Sequence, residues 1–248
     1  SDEPGLDNNA YTNVMAAWVL AEALDLLDTL PQERRRELTE TLGLEPEELE
    51  RWDDMSRRLC VIFQEDGIIS QFEGYDDLEE FDWEGYRKKY EDIQRLDRIL
   101  EAEDDTPNRY KASKQADVLM LFYLFSAEEL ERIFDRLGYG FDPETIPKNI
   151  RYYTRRTSHG STLSRMVHSS ILGRASREES WPLFESALKS DYTDIQGGTT
   201  PEGIHLGAMA GSVNILLQTY TGIEACRGVL RFNPRLPEEM GRLSMNIH

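Results

Sequence analysis

A chain of 248 residues suffices for one large domain or two small ones, and folding at this size buries roughly 75% of the unfolded surface. Its 47 acidic against 28 basic residues leave a net charge of −19, which excludes non-specific binding to nucleic acid or to an anionic membrane, since both need a cationic face. Apolar residues at 39%, aromatics at 10% and charged residues at 30% describe a globular chain rather than a disordered one.

In chain order, "SDEPGLDNNAY" is acidic and polar, unlike a signal peptide. Ala10 to Leu30 keeps apolar residues at three- and four-residue intervals and predicts a helix, with Asn8 or Asn9 as its cap. "LPQERRRELTETLG" and "EPEELERWDDMSRRL" each open with proline and acids and close on bases, which predicts two further helices. "VIFQEDGIISQFEGY" changes character. Its β-branched and aromatic residues flank an Asp-Gly pair, which predicts a short hairpin.

"DWEGYRKKYEDIQRLDRILEAEDD" reads as one or two helices ending in a solvated acidic face, and "KQADVLMLFYLF" with "SAEELERIFDRLGYG" as a helix pair. A Ser-x-x-Glu capping box starts the second of that pair. The long stretch from Phe141 to Ser176 receives no helix of its own beyond a helix start after "RRTSHGSTLS". "REESWPLFESALKSD" is amphipathic and helical. "GIHLGAMAGSVNILLQTYTG" is a helix whose Gly207, Ala208, Ala210 and Gly211 allow close packing, and the last twenty residues alternate like strands.

Two cysteines, Cys60 and Cys226, stand apart without a CxxC or Cys/His spacing, so neither a disulfide framework nor a structural zinc is expected. With no run near the ~18 apolar residues of a membrane helix, the chain is expected to be cytoplasmic. About nine to eleven helices in antiparallel pairs, without βαβ alternation or a fixed repeat, predict an all-α fold, either a bundle or an α/α barrel.

Four polar clusters bear on chemistry. "DNNAYTN", Asp7 to Asn13, is either a ligand cluster or a helix cap with surplus amides; "SKQADV" sets Lys114 and Gln115 at the mouth of an apolar helix, where exposed decoration is the plainer use. "RRTSHGSTLS", Arg155 to Ser164, is a cationic island in an acidic chain. Its hydroxyls, its histidine and the positive end of the helix that follows could cradle an oxyanion, or its arginines could simply pair with surface acids. "DIQGGTTPEGIHLGAMAG" adds backbone amides at Gly197 and Gly198 that a ligand can approach closely. A GxxxxGK[ST] phosphate loop is absent, as is HExxH, so no metal is expected and His205 reads as a hydrogen-bonded structural histidine.

Taken together, "DNNAYTNVMA", "KQADV", "TSHGSTLS" and "QGGTTPEGIHLGAMAG" resemble glycoside hydrolase family 65, the inverting disaccharide phosphorylases of maltose, trehalose, kojibiose and nigerose. The motifs occur in that family's order, and the resemblance runs from Asp7 to Met209. It implies the later part of an (α/α)6 barrel over residues 1–227 and the start of a C-terminal β-domain over 228–248. It also implies cleavage of an α-linked glucose disaccharide or oligosaccharide by inorganic phosphate, with inversion, to β-glucose 1-phosphate. Inorganic phosphate is the co-substrate and no cofactor is expected.

Carried over motif by motif, Lys114 and Gln115 would contact the donor sugar, with Glu202 as a further substrate-binding residue. His159, Ser161, Thr162 and Ser164 would face phosphate, with Gly198 and Thr199 closing the pocket. The family's general acid lies in a GPDE-like motif shortly before "DNNAYTN". Here Asp2 and Glu3 copy two of its letters but Pro4 and Gly5 depart from it, so the acid is expected upstream of Ser1. The chain is then a fragment of a longer enzyme, inactive alone, and prone to homo-oligomerise through exposed barrel faces. A glycoside hydrolase of the same fold, with a carboxylate base in place of "HGSTLS", and a non-catalytic helical module binding a basic partner are the alternatives.

Overall fold

A computed structural model describes residues 5–114, 117–194, 200–226 and 229–246. Eleven α-helices occur among them: α1 Ala10–Thr29, α2 Gln32–Leu42, α3 Pro46–Arg58, α4 Trp83–Lys89, α5 Leu96–Ala102, α6 Asp117–Leu124, α7 Ala127–Arg136, α8 Thr145–Thr154, α9 Thr162–Ala175, α10 Arg177–Leu188 and α11 Leu206–Asn214. The only sheet among the described residues pairs β1 Glu224–Cys226 with β2 Val229–Arg231, antiparallel, Ala225 opposite Leu230. The structure is thus all-α with a small β element near its end. No described helix is long and apolar enough to cross a membrane.

By contacts the chain divides into two compact units. The first is Ser1–Asp77 with Met120–Asn149, and the second is Leu78–Leu119 with Ile150–His248.

In the first unit, the Asn9 side chain accepts from the Thr12 N–H at 2.9 Å and caps α1. The neighbouring amides are committed too: Asn8 Nδ2 donates to Glu73 Oε2 at 2.7 Å and Asn13 Nδ2 to the Cys60 carbonyl at 2.8 Å. "DNNAYTN" therefore ties α1 to the segment behind it, which is the plainer of its two expected uses. The Asp-Gly hairpin forms, with Phe63 bridging Ile69 and Gly67 at φ +76°, a backbone conformation that costs glycine little. Asn149 pins it, accepting from the Ile69 N–H at 2.8 Å and donating to the Gly67 carbonyl at 3.1 Å. The capping box is present at Ser126 and Glu129. One expectation fails locally: α2 has no base in its last turn, because Arg34, Arg35 and Arg36 lie in its first half and pair with Glu37, Asp28 and Glu40.

The second unit is organised by α9, which is buried along most of its length although it is rich in serine. Those hydroxyls are matched. Ser169 Oγ donates to the Ser180 carbonyl at 3.0 Å, Ser180 Oγ donates to the Ser169 carbonyl at 2.7 Å, and Ser170 meets Thr219 at 2.9 Å. Thr219 lies in a π-helical stretch, Ile215–Tyr220, where the chain had read as continuous α-helix. The wider turn seats Tyr220 Oη 3.1 Å from Ser180. Bare backbone does what the small residues promised: a Cβ at Gly207 would lie 3.1 Å from Leu163, and one at Gly211 would drive into Met166. The first turns of α9 and α11 consequently pack together.

Candidate functional site

The segment from Thr157 to Arg165 collects the polar groups of the second unit. A short parallel pairing begins it, Ser113 N–H donating to the Arg156 carbonyl at 2.8 Å and Ser158 N–H to the Ser113 carbonyl at 2.9 Å. This ladder sets Lys114 beside the loop. A Cβ built on Gly160 would lie 3.0 Å from Lys114 Cγ and would overlap the Gln94 carbonyl oxygen, so glycine is what lets the lysine stem and the loop backbone meet. Lys114 is otherwise exposed. The structure brings together Lys114 and the His159 loop, two segments that the sequence could only associate by resemblance.

His159 has φ +55°, a left-handed conformation uncommon outside glycine and one that concentrates at functional sites. The kink turns its ring back over the helix start, where Nδ1 lies 3.1 Å from Ser164 Oγ. Ser161 is the N-cap of α9 but makes no side-chain capping bond, and its hydroxyl has no partner among the described residues at the positive end of this 14-residue helix. Thr162 and Ser164 are buried in the first turn. His159 packs edge-on to His168, ring centroids 4.6 Å apart.

Burial, then the Arg165 and Arg87 charges, hold His159 down at about 4. Burial and the neighbouring His159 hold His168 down at about 3. Both rings are neutral near pH 7. The sign for stability follows: an unfolded chain protonates these histidines near 6.5, whereas the folded one resists until about 4 and about 3. Their contribution is intact above pH 6.5 and is lost as the pH falls through that window, for His168 at up to ~1.4 kcal/mol per pH unit. Urea midpoints of the wild type and of His168→Gln, measured between pH 7 and 4.5, should converge or cross in the variant's favour on acidification. A difference independent of pH would contradict the neutral, buried assignment.

Arg156 does not belong to an anion cradle. Its guanidinium pairs with Glu80 at 2.7 Å and lies 3.7 Å from the Tyr152 ring centroid, so this arginine of the cationic island is paired to an acid. Arg165, nine residues on, was not singled out by the sequence and is buried at 6% exposure. An arginine in the first turn of a buried helix was the available signal.

Of the glycine loop, Gly198 and Thr199, like Gln115, lie outside the described residues, and of Glu202 only its backbone is described, in a single 3₁₀ turn Thr200–Glu202. The loop's flanks are well tied. Asp194 Oδ1 accepts from the Thr200 hydroxyl at 3.1 Å, and Asp191 accepts from the His205 N–H at 2.9 Å and meets His205 Nδ1 at 2.5 Å. His205 is thus the structural histidine expected, and its hydrogen bond holds the Asp191 carboxyl below its usual range. Through Gly207 and Leu163 this tied segment reaches the same helix start that carries Ser161. No group of three or more potential metal ligands occurs among the described residues.

Comparison with known proteins bears on the same residues. The model of the glycosyl hydrolase family 65 central catalytic domain matches residues 2–214. An uncharacterized glycosyl hydrolase of Mycobacterium tuberculosis is 55% identical over 239 residues, covering 96% of this chain and 18% of that protein. Trehalose 6-phosphate phosphorylase of Lactococcus lactis is 35% identical over 245 residues, covering 98% of this chain and 30% of the relative. Kojibiose phosphorylase of Caldanaerobacter subterraneus is 32% identical over 250 residues, with 98% and 30% covered. A solved structure named "Putative kojibiose phosphorylase from human microbiome" superposes with a TM-score of 0.71 at 23% identity, over 94% of this chain and 32% of that one, which shows the fold: the all-α class expected of a barrel portion. The chain spans between 18% and 30% of the length of these curated relatives.

Proposed function

We propose that this chain, which belongs to glycosyl hydrolase family 65, carries the phosphate side of an inverting α-glucoside phosphorylase. In this reading residues 1–227 are part of the catalytic domain and 228–248 open a β-domain. The observation that supports it most is the start of α9: a neutral His159 bonded to Ser164, an uncommitted Ser161 hydroxyl, and Lys114 packed on Gly160. These groups are donors or can become donors, and none is a carboxylate. An inverting hydrolase would need a carboxylate base at the point where water attacks; a phosphorolytic site needs donors for an oxyanion.

With Ser164 donating to Nδ1, the His159 ring carries its proton on Nε2, aimed at the anion. A phosphate oxygen then attacks the anomeric carbon as the glycosidic C–O bond breaks, and a general acid, not assigned to any residue of this chain, protonates the departing oxygen. The product is β-glucose 1-phosphate. Gln115, Glu202, Thr162, Gly198 and Thr199 are proposed to complete the sugar and phosphate contacts. The substrate is an α-linked glucose disaccharide or oligosaccharide, of which the names of the phosphorylase relatives supply examples.

The test is product analysis by the whole protein on a panel of α-linked glucobioses, free and phosphorylated, with and without phosphate. Phosphate-dependent formation of β-glucose 1-phosphate is expected. Release of free glucose at a rate indifferent to phosphate would assign a hydrolase instead.

A further inference from the structure

Arg165 is a buried cation with no ion-pair partner among the described residues. The residue is 6% exposed, its Nη1 is sealed from solvent, and neither a hydrogen-bond partner for that atom nor a carboxylate within ion-pair distance occurs among the described residues. Asp92 acts on it only through space. Four further buried polar atoms of the same unit lack a hydrogen-bond partner among the described residues, and two of them, Gln94 Oε1 and His168 Nε2, belong to residues that border the His159 loop. An unpaired buried charge is strongly unfavourable, and guanidinium does not escape by losing its proton. Shortage of acids is not the reason, for the chain holds 47 of them against 28 bases. On the surface Arg156 finds its carboxylate in Glu80.

The residue also has a definite place in the chain. It belongs to the first turn of α9, one residue after Ser164, and its charge is felt by the His159 ring that Ser164 holds. A cation, a helix N-terminus and a hydroxyl free among the described residues, all carried by the start of one helix, favour a tetrahedral oxyanion.

We propose that Arg165 is a binding residue for a phosphoryl group at the start of α9, its guanidinium being completed by the ligand's oxygens in place of a protein carboxylate. The proposal rests on the phosphorolytic reading of this site and adds to it the cation that neutralises the anion. Two sources share that chemistry: inorganic phosphate, and the phosphoryl group of a sugar phosphate. Of the two, inorganic phosphate fits the position beside His159 and Ser161.

The experiment compares the whole wild-type protein with Arg165→Met and Arg165→Lys. Thermal unfolding is recorded with inorganic phosphate, with glucose 6-phosphate and with neither, and KM for phosphate is measured beside KM for the disaccharide. Inorganic phosphate should raise the wild-type Tm and leave that of Arg165→Met unmoved. In the methionine variant KM for phosphate should rise about 10- to 100-fold, the usual worth of a charged hydrogen bond, with KM for the sugar nearly constant and partial recovery in the lysine variant. If only the glucose 6-phosphate response depends on Arg165, the phosphoryl site stands with a sugar phosphate as its ligand. If phosphate and glucose 6-phosphate each shift all three proteins equally, or none, Arg165 holds no anion and the proposal falls. A wild type that shows the Tm response but no phosphate-dependent turnover would instead remove the phosphorolytic reading alone.

Discussion

Combining His159→Ala with Ser161→Ala in the whole protein is expected to lower phosphate-dependent cleavage by at least ~1000-fold, since one well-placed oxyanion donor is typically worth 10²–10³ in rate. The reason is local. His159 is kept neutral by burial and by Arg165, and its bond to Ser164 fixes the ring across the start of α9. Ser161 supplies the hydroxyl at the N-cap without spending it on the helix. Removing both leaves the helix dipole and the backbone amides. The two losses should not simply add, because the groups share one ligand. Since alanine sits poorly at φ +55°, His159→Asn serves as the backbone control: asparagine accepts the left-handed conformation. If the double variant keeps wild-type phosphorolysis, the anion is not held here.

What the sequence disclosed was mostly what short-range chemistry decides. The Asn9 cap, the Ser126–Glu129 box and the Asp66-Gly67 turn are each set within four or five residues, and each is found in place. Helix α8 escaped notice because "TIPKNIRYYT" is β-branched, aromatic and interrupted by proline. Pro147 falls in the first turn, where its missing N–H has no partner to lose, and burial of Ile150 and Tyr153 supplies what propensity does not.

The same limit applies to the site. Composition showed a basic cluster in an acidic chain, but which arginine was structural depended on partners far away in sequence: Glu80 claims Arg156 across 76 residues, while nothing described claims Arg165. The association of Lys114 with the His159 loop likewise depends on the Ser113–Thr157 pairing, a contact with no periodic signature. The resemblance of motifs supplied that association; spacing alone could not have done so.

Gly160→Val carries the other large effect. A valine Cβ would overlap the Gln94 carbonyl oxygen and lie 3.0 Å from Lys114 Cγ. The lysine stem can swing away, but the carbonyl belongs to the backbone and also accepts from Ser158 Oγ at 3.4 Å. The loop must therefore shift as a whole, carrying His159 with it. Overpacking of this kind costs about 1–3 kcal/mol, which for a chain of this size lowers Tm by a few degrees at ~2–4 °C per kcal/mol. The catalytic loss should be much larger than the loss of stability, because displacement of a positioned group by about 1 Å can cost ~100-fold in rate. Kinetics at a temperature well below the variant's Tm separate the two. There, kcat/KM should fall about 100-fold with both the sugar and the phosphate KM disturbed, while Arg165→Met disturbs phosphate alone. A valine variant with unchanged kcat/KM would mean that contact between Lys114 and the loop backbone does not position the site.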